Sequence, residues 1–277
     1  MKHLSTLTAA AALLIAPAAW AAPVFTTFES AGANAASITP TRDAFRTAIG
    51  GGTAAGANGS FGGLRREINW DGVPDARSDP NALPADFFNV NSPRGAVFST
   101  PGTGFRVSAN SGGSTPVLFG FGSDFQAFSA QRIFTAINSN ITDVRFFTPG
   151  TSTAATTSAF GVIFVDVEVD NLTRLELFDE NDVSIYSHAA LVGGNKGLSF
   201  LGATVADGKI GRVRITSGLN TIVADGQLGN PTDDVVVMDD FIYAEPLRAI
   251  PEPPSLGLLA LALFSGLAAT RRRPPGC

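Results

Sequence analysis

Between Phe160 and Asp170 apolar and polar residues alternate. Ile163, Val165, Val167 and Val169 fall on one side of an extended backbone, and Asp166, Glu168 and Asp170 fall on the other. That period of two predicts a strand whose second half faces water. Similar runs recur along the chain. Residues 172–178 and 183–186 flank the turn Asp179-Glu180-Asn181-Asp182 and predict a hairpin. Residues 198–205 and 210–216 flank Ala206-Asp207-Gly208-Lys209 and predict a second pair, with Arg212 and Arg214 alternating against Val213 and Ile215. Residues 235–243 predict the last strand, and residues 24–29 predict a first strand lying beside it. One helix stands out near the start. Thr39 suits its cap, Pro40 its first position, Asp43 its first turn and Gly50 the position past its end. Small-residue stretches at 31–37 and 50–63 predict loops. About ten strands, frequent glycine turns and one early helix predict a mainly β domain over residues 22–248. Its expected form is an antiparallel jelly-roll-like sandwich with one short N-terminal helix.

Two apolar segments stand outside this alternation. Residues 1–21 have a positive start at Lys2 and His3, an apolar run over 7–16, a break at Pro17 and the small-x-small site Ala19-Trp20-Ala21. That order predicts a secretory signal peptide cleaved after Ala21. Residues 249–277 read differently. Ile250-Pro251-Glu252-Pro253-Pro254 precedes sixteen uncharged residues from Ser255 to Thr270, and Arg271-Arg272-Arg273 follows. Sixteen residues make a short transmembrane helix, and the arginines would hold its end in the cytoplasm.

This order of Pro-Glu-Pro, apolar helix and arginine cluster resembles the PEP-CTERM sorting signal. The resemblance rests on Pro251, Glu252, Pro253, Arg271, Arg272 and Arg273. It implies an exported protein of a Gram-negative bacterium that makes extracellular polysaccharide. It also implies an exosortase that removes the tail after transient anchoring in the inner membrane, with the cell surface or extracellular matrix as destination. As a whole the stretch from Arg66 to Phe241 also resembles the bodies of PEP-CTERM proteins, which implies a shared fold and assigns no activity.

Setting the ends aside changes the composition. The mean hydropathy of +0.19 owes much to the two terminal segments. Of 19 basic residues, Lys2 and Arg271–Arg273 lie in those ends, and of 24 acids only Glu252 does, so the middle carries about −8. An acidic surface repels phosphates, so nucleic acid is not an expected partner. The single cysteine is Cys277, which excludes an internal disulfide, a cysteine nucleophile and a thiolate metal site in the domain. His188 is the one histidine beyond the signal peptide, and no nucleophile elbow, HExxH or phosphate-binding loop accompanies it.

Carboxylates remain, and calcium is the cation that suits them. The first candidate site joins Glu29 with Asp239 and Asp240, if the terminal strands are neighbours. Successive strand residues point to opposite faces, so both aspartates could share a site only across a bulge. The oxygen-rich run Asn69, Asp71, Asp75, Asp79 and Asn81 is a second candidate, and Asp225, Asp233 and Asp234 are a third. For the second and third, ordinary solvated loop charges are the simpler alternative. Trp70 is a candidate sugar platform, with core packing as the commoner role for such a residue. The expected function is a non-catalytic, glycan-associated module, calcium-assisted or not. A polysaccharide-active hydrolase using acidic residues and a purely structural matrix or adhesion protein are the alternatives. Expected partners are signal peptidase, exosortase and extracellular polysaccharide.

Overall fold

The structure, a computed structural model, describes residues 23–206, 209–223, 227–230 and 233–248. The expected signal peptide and the sorting signal with its apolar helix lie outside the described residues. Among those described, no helix is long and apolar enough to cross a membrane.

Twelve strands and two helices follow in chain order: β1 (Val24–Gly32), α1 (Ala35–Ile49), β2 (Arg65–Ile68), α2 (Phe87–Val90), β3 (Ala96–Ser99), β4 (Gly104–Val107), β5 (Phe134–Ile137), β6 (Ile141–Phe146), β7 (Ala159–Val165), β8 (Arg174–Phe178), β9 (Ser184–Ala189), β10 (Leu198–Ala206), β11 (Arg212–Thr216) and β12 (Val237–Ala244). They form two antiparallel sheets. One runs β1-β10-β7-β12-β5-β4, with β2 also paired to β12; the other runs β3-β6-β11-β8-β9.

The larger sheet is covered on both faces. Phe160, Val162, Phe164, Met238, Phe241 and Tyr243 point toward the smaller sheet, where Val144, Phe146, Leu175, Leu177, Val213 and Ile215 meet them. Alternate residues Ile163, Val165, Phe200, Val237 and Ile242 point the other way and pack under Ile38 and Phe45 of α1. Three layers result: helix, large sheet, small sheet. This accounts for β7, β10 and β12 reading as nearly continuous apolar runs, whereas β11, with Arg212 and Arg214 half-buried, keeps an alternating pattern.

The helix docks through glycines. Gly161 and Gly202 are cross-strand partners on β7 and β10, and the Phe45 ring lies on both. A Cβ at Gly161 would stand 2.7 Å from Phe45 Cε1. Gly161→Ala is therefore expected to push the ring out of place and to cost about 1–3 kcal/mol, measurable by denaturant unfolding.

Several expected pairings differ in the fold. Strand β1 pairs with β10 and not with β12, because β7 occupies one edge of β12 and β5 and β2 share the other. Strands β10 and β11 belong to different sheets; the fully buried β10 needs cover on both faces, and the half-exposed β11 does not. Strand β7 stops at Val165, where Asp166 turns to φ +76° and its Oδ1 accepts the Lys196 N–H at 2.7 Å. The hairpin of β8 and β9 forms as expected, its turn tied by Asp179 Oδ1 to the N–H groups of Asn181 and Val183. Helix α1 starts four residues before Thr39, whose hydroxyl bonds back to Ala35 O at 2.8 Å. It ends at Gly50, φ +93°, as the sequence indicates.

Candidate functional site

The site begins with an irregularity in β12. Met238 faces Phe164 and Phe241 faces Val162, so Asp239 and Asp240 together oppose Ile163 alone. A two-against-one bulge puts two consecutive side chains on the same outer side of the strand. Here β12 also changes its other neighbour, from Phe134 of β5 at Met238 to Ile68 of β2 at Phe241. Both carboxylates are carried out of the ladder at that gap.

Asp239 is fully buried, with Oδ2 accepting the Phe128 N–H at 2.6 Å and Oδ1 accepting the Ser129 hydroxyl at 3.2 Å. The same hydroxyl lies 3.1 Å from Asp71 Oδ2, and one proton cannot serve both acids. Burial, reinforced by the charge of Asp240, pushes the Asp239 carboxyl well above the usual range, and burial raises Asp71 and Asp240 as well. Arg46 favours the Asp240 anion. The two carboxyls titrate as one coupled pair, and burial holds Asp239 the more strongly toward its protonated form. Asp240 is 4% exposed, and its Oδ1 has no hydrogen-bond partner.

Asp240 lines a groove of about 480 Å³ between α1, the 50–63 loop and β2. Arg42 and Arg46, one turn apart on α1, form one wall with Thr39; Phe61, Glu67 and Arg94 contribute to the rest. Arg46 grips Glu67 through Nε at 2.9 Å and Nη2 at 2.5 Å, and Arg65 Nε reaches it at 2.6 Å. Arg42 lies over the Phe128 ring at 4.8 Å and Arg65 over Phe61 at 4.6 Å. Arg94 Nε donates to Glu67 O, and burial lowers its guanidinium pKa. Gly59, φ +72°, makes room: a Cβ there would be 2.6 Å from Arg94 Nε. A neighbouring recess of about 730 Å³ shares Arg42, Arg46, Phe61 and Glu67.

The expected site residues are thus redistributed. Asp239 and Asp240 come together, but Glu29 does not join them; it sits on β1, with two strands between, and contacts His188 Nε2 at 2.8 Å. That contact ties the edge strands β1 and β9 across the two sheets. Trp70 is 1% exposed, stacked on Phe134 at 4.0 Å, with Nε1 donating to Asp239 O at 2.9 Å. It offers no face to a sugar. In the oxygen-rich loop, Asp75 is paired with Arg132 at 2.6 Å and Asp79 with Arg106 at 3.1 Å, so arginines hold two of its candidate ligands.

A different acidic group could hold a metal. Ligand oxygens of Asp166, Glu168 and Asp234 lie within 4.8 Å of one another. Desolvation pushes Asp166 up to about 7 and Asp234 to about 6. Both Asp234 oxygens are shielded from solvent, and the backbone N–H groups of Glu168 and Val169 face its carboxylate. Asp225 lies outside the described residues, and Asp233 is exposed. The groove residues Arg42, Arg46, Arg65, Glu67 and Arg94 were not anticipated. The four-residue spacing of Arg42 and Arg46 on the expected helix, and the two-residue spacing of Arg65 and Glu67 on a strand, are the sequence signals that place each pair on one face. No protein-family model matches the chain, and no curated protein matches it significantly.

Proposed function

We propose that this is an exported, surface- or matrix-located protein, sorted through a PEP-CTERM tail, whose central domain binds extracellular polysaccharide without catalysis. Signal peptidase and exosortase act on its ends, and the apolar C-terminal helix anchors it before processing. The jelly-roll description of the two sheets belongs to the same proposal. The observation that carries the binding role is the groove beside Asp240. Its fixed guanidinium–carboxylate pairs and the half-buried rings of Phe61 and Phe128 offer a hydroxyl-rich chain both hydrogen bonds and apolar faces. Glu67 spends its oxygens on Arg46 and Arg65, which suits a fixed anion better than a nucleophile. Calcium assistance moves, in this reading, to Asp166, Glu168 and Asp234.

The test is retention of the purified full chain on immobilised bacterial exopolysaccharides. Retention is expected, with a drop of tenfold or more in Phe61→Ala/Phe128→Ala. A chain that binds none of them overturns the proposal. Two carboxylic residues, Asp240 and Glu67, line the same groove, and that pair favours hydrolysis as the second reading. Release of new reducing ends from a retained polysaccharide would establish it in place of simple binding.

A further inference from the structure

The groove has an unmet requirement at its inner end. Asp240 lines the groove, and its buried Oδ1 has no hydrogen-bond partner, which leaves a desolvated acceptor in need of a donor. A metal cation is a poor candidate. The guanidiniums of Arg42, Arg46 and Arg94 line the same space, and Arg46 already supports the Asp240 charge. A cation would add a fourth positive charge among them. A hydroxyl supplies the missing donor without adding charge.

The opposite end of the charge balance points the same way. Three arginines against Glu67 and Asp240 leave a positive excess in a recess of a chain whose formal net charge is −5. Such a local reversal of sign concentrates anions. Arg46 is committed to Glu67, whereas Arg42 pairs with Asp43, whose side chain is half exposed and outside the groove's inner lining. Asp43 also holds Arg46 Nη1 at 3.2 Å, so it keeps a partner when the largely buried Arg42 guanidinium turns to a ligand anion.

We infer that the groove recognises an acidic sugar of the uronate type, with a ring hydroxyl donating to Asp240 Oδ1 and the sugar carboxylate meeting Arg42 and Arg94. The inference rests on the polysaccharide-binding reading and names the chemistry of the ligand. A neutral sugar would satisfy Asp240 and leave the arginine excess unmatched; an inorganic anion would do the reverse.

The experiment compares binding of the full chain to polygalacturonate and to neutral dextran by affinity electrophoresis. Polygalacturonate is expected to retard the chain at least tenfold more strongly than dextran, and added salt is expected to weaken the effect. Asp240→Asn keeps the shape but replaces the carboxylate acceptor, and is expected to lose tenfold or more of the affinity with an unchanged or higher melting temperature. Arg42→Ala, which removes a side chain lying over the Phe128 ring, provides a second variant, with its melting temperature measured alongside. It is expected to lower polygalacturonate binding and leave dextran unaffected. Equal retardation by dextran, or polygalacturonate binding untouched in both variants, overturns the inference while leaving polysaccharide binding intact. Absence of binding to every polysaccharide overturns the underlying reading as well.

Discussion

Trp70→Ala is expected to lower folding stability by about 3–5 kcal/mol, the range for emptying a buried aromatic site. The ring lies parallel to Phe134, 3° between planes, and meets Phe88 and Phe241 edge-on. It sits where β2 gives way to the loop that reaches Asp71, and its backbone is held at φ +63°. Its indole N–H ends on the carbonyl of Asp239, at the bulge itself. Trp70→Phe separates the two roles. It keeps most of the packing but leaves that carbonyl without its donor, for an expected cost of about 1–3 kcal/mol. Circular dichroism melts should show both losses, since the variants remove the buried tryptophan whose fluorescence would report unfolding. Polysaccharide retention by the folded Trp70→Phe chain should persist. If retention vanished while the melting temperature stayed fixed, Trp70 would be a binding platform after all.

What made Trp70 ambiguous in the sequence also explains which other features could be read there. Local chemistry was legible. Asp179 to Asp182 tie their own turn, so the β8–β9 hairpin needs nothing distant to specify it. Gly50 ends α1 for a reason internal to the helix terminus. Pairing between distant strands was not legible. The neighbour of β1 depends on which edges remain after β7, β5 and β2 have taken β12, and no residue of β1 encodes that order. The bulge is the same kind of fact: alternation alone sets Asp239 and Asp240 on opposite faces, and only the register against Phe164 and Val162 reunites them. The groove is harder still. Its wall is drawn from α1, the 50–63 loop, β2, Arg94, the Phe128–Ser129 segment and β12, so no window of sequence contains it. The start of α1 was missed because Thr39 and Pro40 carry the marks of a first turn. Within the helix the threonine hydroxyl is satisfied by Ala35 O instead.

Stability is expected to fall as pH rises from about 4 to about 7 in calcium-free buffer, opposite to the trend for paired surface carboxylates. The cause lies in Asp166 and Asp234, whose folded-state values are raised to about 7 and about 6 from an ordinary 3.8. A carboxyl raised in the folded state binds its proton more tightly there than in the unfolded chain. Its favourable contribution is complete below about pH 4 and is lost as pH climbs through the folded value. At about 1.4 kcal/mol per unit the two shifts would come to about 7 kcal/mol if they acted independently. They are coupled to each other and to exposed Glu168, so about 2–4 kcal/mol is the expected total loss. The buried Asp239 and Asp240 and the half-buried Asp71 act in the same direction. Asp234→Asn removes one member of the cluster without changing its shape. It should therefore be more stable than the parent at pH 7 in EDTA by about 1–2 kcal/mol and nearly equal to it at pH 4. Calcium supplies the discriminating arm. Binding to the folded state alone at a hundredfold excess over Kd stabilises by about 2.7 kcal/mol. Calcium should thus raise the melting temperature of the parent at pH 7 and have little effect on Asp234→Asn. It should also flatten the pH profile, because the cation replaces the protons that hold the cluster neutral. An equal calcium response in both proteins would place the ion elsewhere. A pH profile that rises toward neutrality would show that these carboxyls ionise freely in the fold.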